Sequence, residues 1–141
     1  MEFPIIAATT AGILLVMQQA LMLNVGMHRT KLKMGTGFGE DLDMERLSRR
    51  HGNLAENAGI FIVTLALLEL YVGSGTAVSG FAATFVAARV SHIIGFSSLA
   101  GSHLKEGSKL FLVLRAGGAT LTALVGLVTG MYLFYQVALA L

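Results

Sequence analysis

The chain has 141 residues, 55% of them hydrophobic and 13% charged, with no cysteine and a net charge of +2. Soluble domains carry roughly 25% charged residues, so a mean hydropathy of +0.73 with long uncharged runs points instead to a membrane protein. The missing cysteine excludes a disulfide framework, a thiolate metal site and a cysteine nucleophile; no metal site and no nucleic-acid partner are expected.

A membrane-spanning helix takes about 20 mostly apolar residues. The first expected span runs from about Pro4 to Met27. No Lys or Arg precedes its apolar run, which opens with Glu2, whereas a secretory signal has a basic n-region and a small-residue cleavage site. A retained first membrane helix is the expectation. "HRTKLKMGTGFGEDLDMERLSRRH", residues 28–51, is a long charged connection broken by glycines at 35, 37 and 39. Its "GTGFG" has no preceding strand and no GK[ST], which excludes a nucleotide-phosphate loop. "GEDLDMERL" restarts a helix that Asp41 or Asp43 can cap.

The second span follows from about Ala55 to Val72. Glu69 near its far end is expected to snorkel to the membrane surface or to pair locally. "GSGT", residues 73–76, is an uncharged turn, and the third span runs from about Val78 to Leu99, interrupted by Arg89 and His92. "GSHLKEGSK", residues 101–109, is short and basic. The fourth span runs from about Leu110 onward, with Arg115 near its start. The fold class expected is an all-α integral membrane protein, a four-transmembrane-helix bundle forming a single domain over residues 1–141. Gly126 and Gly130 form a GxxxG, and Gly117, Gly118 and Ala119 add small residues that suit close helix approach.

Nearly all Lys and Arg outside the spans lie in segments 28–51 and 101–109, on one side of a four-span chain. The positive-inside rule makes that side cytoplasmic and places both termini opposite. On the second helix Arg49, Asn53 and Glu56 share a face at i, i+4 and i+7, flanked by Arg50 and His51. On the third, Arg89, His92 and Phe96 share a face at i, i+3 and i+7. Arg and His inside a span cost several kcal/mol against lipid, so they should face a partner helix or a wet cavity. Glu56 is the evident partner for one of the arginines, and Arg46 is expected to serve as an interfacial anchor. Together these residues describe a basic pocket between helices that suits a small anion or zwitterion, since arginine's planar fork fits carboxylates.

"ERLSRRHGNLAE", residues 45–56, resembles the E-R-x-x-R-x-x-x-N-x-x-E signature of the MAPEG family, membrane-associated proteins in eicosanoid and glutathione metabolism. "GTGFGEDLDMERLSRRHGN" is most similar to its small bacterial branch; "ARVSHIIGF", residues 88–96, resembles its third-helix segment and "LRAGGATLTALV", residues 114–125, its fourth-helix start. The resemblance implies a four-helix bundle assembled as a homotrimer, with glutathione as co-substrate bound at subunit interfaces near the cytoplasmic face of a bacterial inner membrane. By position it implies glutathione contacts at Arg29, Arg49, Asn53, Glu56, Arg89, His92 and Phe96. Asn57 and Gly59 depart from the family pattern, and Phe96 lacks the hydroxyl of a common tyrosine. The arginine credited in the family with holding the thiolate has no clear match, which leaves Arg115, His103 and Lys105 as candidate catalytic cations.

Conjugation or peroxide reduction of a lipophilic small molecule entering from the bilayer is the implied chemistry. The competing expectation is a non-enzymatic membrane scaffold, or a small-anion or lipid-binding protein, using the same polar cluster. A transporter is disfavoured, because no broken helix or inverted repeat is visible.

Overall fold

The computed structural model describes residues 2–103 and 109–140. Its four long helices are α1 (Ile5–Leu32), α2 (Leu42–Val72), α3 (Thr76–Gly95) and α5 (Lys109–Ala138), and α4 (Leu99–Ser102) is a single turn between the last two. Each long helix contains a window apolar enough to cross a membrane, and only 17% to 33% of that window is buried inside the chain. The outward faces, which include Val16, Ile60, Leu127 and Phe134, are apolar too. Helices that satisfy their own backbone and show apolar surface all round belong in hydrocarbon. The protein is an all-α integral membrane protein.

The core lies where α2 faces α3. Phe61 stacks on Phe85 with ring centroids 3.7 Å apart and planes 6° from parallel. Leu14, Leu21, Leu54, Leu65, Leu68 and Val125 pack around them. The helices α3 and α5 approach through glycine. A Cβ on Gly118 would meet the His92 amide nitrogen at 2.6 Å and the Ala88 carbonyl at 2.7 Å, while Gly95 lies against the backbone of Arg115. Ser91 Oγ adds a hydrogen bond to the Leu114 carbonyl at 2.9 Å. Around Gly117, Gly126 and Gly130 a Cβ would find nothing within 4 Å, so the GxxxG makes no close packing contact inside the chain.

One expectation is corrected and another is resolved. The third helix ends at Gly95 rather than near Leu99. The chain turns at residues 96–98, and Ser98 starts α4 by accepting the Gly101 N–H at 3.3 Å. Of the two outcomes expected for Glu69, it takes pairing over snorkelling, with Ser74 close in sequence and with the start of α1. It is 3% exposed, and it accepts from the Ile6 and Ala7 amides at 2.9 and 2.7 Å and from Ser74 Oγ at 2.6 Å. Pro4, at the N-cap of α1, offers no side-chain acceptor. The carboxylate from the end of α2 supplies it instead, where the helix dipole favours negative charge.

Asp41 is the N-cap of α2: its Oδ1 accepts the Met44 N–H at 2.6 Å and lies 3.2 Å from His28 Nε2. The Met44 amide first, then His28, hold this carboxyl below its ordinary value of 3.8. Stability from a lowered carboxyl is fully present above the ordinary value and is lost as pH falls through the lowered one. Wild type should therefore melt above Asp41→Asn at pH values over 3.8, with the gap closing on acidification; a constant gap down to about pH 2 would contradict this. The helix contact makes a separate prediction. Gly118→Ala should cost roughly 1–3 kcal/mol by wedging α3 from α5, whereas Gly117→Ala should be neutral or stabilising, both read from thermal unfolding in detergent.

Candidate functional site

At the end of the bundle where α2 begins and α3 stops, a cavity of about 340 Å³ opens between α2, α3, α4 and α5. Glu45, Arg46, Arg49 and Asn53 line it from α2, His92 and Phe96 from the end of α3, Ser102 and His103 from α4, and Arg115 and Ala119 from α5. The turn after Gly95 builds this space, because it leaves two sets of helix-end carbonyls to be satisfied.

Arginines satisfy both. Arg46 Nη1 donates to the Phe96 carbonyl at 3.0 Å, while its Nη2 pairs with Asp43 at 2.7 Å. Arg115 Nη1 donates to the Gly101 and Ser102 carbonyls, each at 2.9 Å. Its guanidinium lies over the Phe96 ring, 4.7 Å from the centroid, a cation–π contact. Nε and Nη2 of Arg115 keep their donors. His103 is engaged through both ring nitrogens, Nε2 at 3.1 Å from Glu45 and Nδ1 at 2.9 Å from Ser102 Oγ. Arg49 makes no side-chain hydrogen bond or ion pair among the described residues. Asn53 Nδ2 donates back to the Arg49 carbonyl at 2.9 Å, and its Oδ1 accepts from no donor among the described residues.

The lining His92 is 3% exposed, and Arg89 behind it is 2% exposed. Arg89 Nη1 donates to Thr122 Oγ1 at 3.2 Å and Nη2 to His92 Nδ1 at 3.0 Å. Thr122 in turn donates to the Gly118 carbonyl at 2.7 Å. The His92 ring lies 4.9 Å from that of Phe96. The cavity therefore presents a surplus of donors. Its single acidic lining residue among the described residues, Glu45, is already paired.

The structure brings six of the sequence-derived candidates to one space: Arg49, Asn53, His92, Phe96, His103 and Arg115. It keeps three others away. Arg29 donates to the Gly37 carbonyl at 3.1 Å in the α1–α2 connection. Arg89 is buried behind His92. Glu56 is exposed and forms no ion pair among the described residues, so its expected pairing with an arginine is not made within the chain. Lys105 lies outside the described residues. Asn53 bonds within its own helix, and neither it nor Glu56 makes a side-chain bond to another helix among the described residues. The sequence singles out none of Glu45, Ser102 and Ala119 as site residues, and Arg46, expected as an interfacial anchor, also lines the cavity. Glu45 and Arg46 extend the Arg49–Asn53 face back by one turn, which was the available signal. Ser102 depends on the unforeseen turn.

A sequence model of the MAPEG family matches residues 7–135. The chain belongs to the MAPEG family. No curated protein matches it. The match takes in every residue of the cavity, and membership agrees with a glutathione-related function in the membrane.

The carbonyl bonds of Arg115 make a prediction about order. Hydrogen bonds to a charged donor contribute about 1.5–3 kcal/mol each. Arg115→Met should speed amide exchange across residues 98–103 by at least about tenfold, with Arg49→Met as an unchanged control. Equal exchange in wild type and Arg115→Met would show that α4 is held by something else.

Proposed function

We propose that the cavity binds glutathione and that the MAPEG chain described above uses it on lipophilic electrophiles or peroxides. The observation that carries this reading is the free guanidinium of Arg49 facing a donor-rich space. A tripeptide with two carboxylates supplies what those donors lack, and a fork of N–H groups grips a carboxylate bidentately. Asn53 Oδ1 and Glu45 are the acceptors available to its ammonium and amide groups.

The thiolate, rather than the thiol, is the nucleophile, and a nearby cation favours it. Arg115 is the best-placed cation: its Nε and Nη2 are unspent, and Phe96 covers one side of the guanidinium. His103 is tied to Glu45 and Ser102 and is the weaker candidate, while Lys105 stays a proposal from sequence. Attack by sulfur on an electrophilic carbon would form the S–C bond as the leaving group departs with the bonding pair. The electrophile would come from the bilayer, consistent with the apolar outer faces of the bundle. In the homotrimer proposed here, Arg29 and Glu56 would join the site only across a subunit boundary.

The second reading, a scaffold held together by the same polar residues, has less support, because Arg49, Asn53 and Glu56 make no side-chain bond between helices among the described residues.

Calorimetric titration of the detergent-solubilised protein with glutathione tests the proposal. Binding at or below millimolar concentration is expected, and Arg49→Ala should weaken it by about 10-fold or more. Silence at millimolar glutathione in a well-folded sample would sink it. The orientation is also a proposal: the cavity end is cytoplasmic in a bacterial inner membrane, by the distribution of Lys and Arg. The chain has no cysteine, so single-site variants report cleanly. Thr36→Cys should resist, and Gly75→Cys should accept, a membrane-impermeant maleimide added outside intact spheroplasts; the reverse pattern would invert the topology.

A further inference from the structure

We infer that Arg89 is a positioning residue: it holds His92 as a neutral imidazole with the proton on Nε2, so that the ring serves the cavity as a fixed hydrogen-bond donor.

A guanidinium can only donate. At 3.0 Å from Arg89 Nη2, His92 Nδ1 must therefore accept, and its lone pair is occupied. The single proton of the neutral ring is left on Nε2. Protonation of Nδ1 would set two donors against each other beside a buried cation. Arg89 is itself held, since Nη1 is bonded to Thr122 Oγ1, whose own proton goes to the Gly118 carbonyl. No carboxylate reaches Arg89 among the described residues. The tautomer of a histidine is set by the bond its other nitrogen makes.

One consequence concerns the chemistry. A ring with one lone pair occupied and the other nitrogen protonated cannot take a proton from a thiol. His92 is then not the base that takes the thiol proton, and its contribution is orientation. This consequence rests on the glutathione reading above; the tautomer itself does not.

The test is nitrogen-15 NMR of the histidine-labelled protein in nanodiscs at pH 7.5, without ligand. The chain has four histidines, and the His92 signals are those lost in His92→Gln. Wild type should show the Nε2–H tautomer. Arg89→Met and Thr122→Val should both admit the Nδ1–H form, and Arg89→Lys should restore more of the wild-type pattern than Arg89→Met does. An Nδ1–H or charged ring in wild type overturns the inference, as does an unchanged Nε2–H ring in both Arg89→Met and Thr122→Val. Should Arg89→Met fail to fold, Thr122→Val carries the same decision. Glutathione affinity is measured alongside, with a loss of about 2- to 10-fold expected for Arg89→Met. If no variant or wild type binds glutathione while the tautomers behave as stated, the glutathione reading fails and the positioning role stands.

Discussion

The structure depends on how positive charge is held inside an apolar bundle that supplies few carboxylates. Charged groups taken from water must find partners. Here the partners are mostly backbone carbonyls at helix ends. Arg46 spans from Asp43 to the end of α3, and Arg115 closes α4. Arg89 is divided between a threonine and a histidine. These bonds require the chain to break after Gly95, and the break opens the cavity. Arg49 is left without a side-chain partner among the described residues, and that surplus is what the proposed anion site rests on.

The opposite end of the bundle uses the same physics with the sign reversed. Glu69 reaches from the end of α2 to the first amides of α1, placing a carboxylate at a helix N-terminus. Cations at C-termini and an anion at an N-terminus both complement the helix dipoles. Between the two ends, the glycine contact of α3 with α5 sets the depth of the site. Gly118 lets α5 lie against His92 and Ala88, and Thr122 sits one turn further on, within reach of Arg89. A larger residue at Gly118 would separate the hydrogen-bond chain that fixes His92.

Much of this was legible in the residues alone. Four apolar runs of membrane length gave the bundle, and Asp41 was one of two readable caps, the one the structure uses. The spacing of Arg49 with Asn53, and of His92 with Phe96, placed two faces that do meet. What could not be read was anything decided by tertiary partners. The turn at residues 96–98 has no proline to announce it and follows a run that looks continuous with the span. For Glu69 local pairing was one of two expectations, but its partners at the start of α1 are backbone amides, which carry no sequence signature. Glu56 looked like the counter-ion of an arginine because charge pairs are the commonest expectation, yet its helix face turns outward. Arg89 was legible as buried and polar, but its role behind His92 required the distance to Nδ1.

The central claim is that unspent donors of Arg49 and Arg115 create an anion site whose sulfur end lies against Arg115. A structure of the protein in nanodiscs with saturating glutathione tests it most directly. The expected result is a carboxylate at Arg49 and the sulfur beside Nε and Nη2 of Arg115, inside the cavity between α2 and α5. Glutathione bound elsewhere on the chain, or a cavity holding only water at saturation, would contradict it.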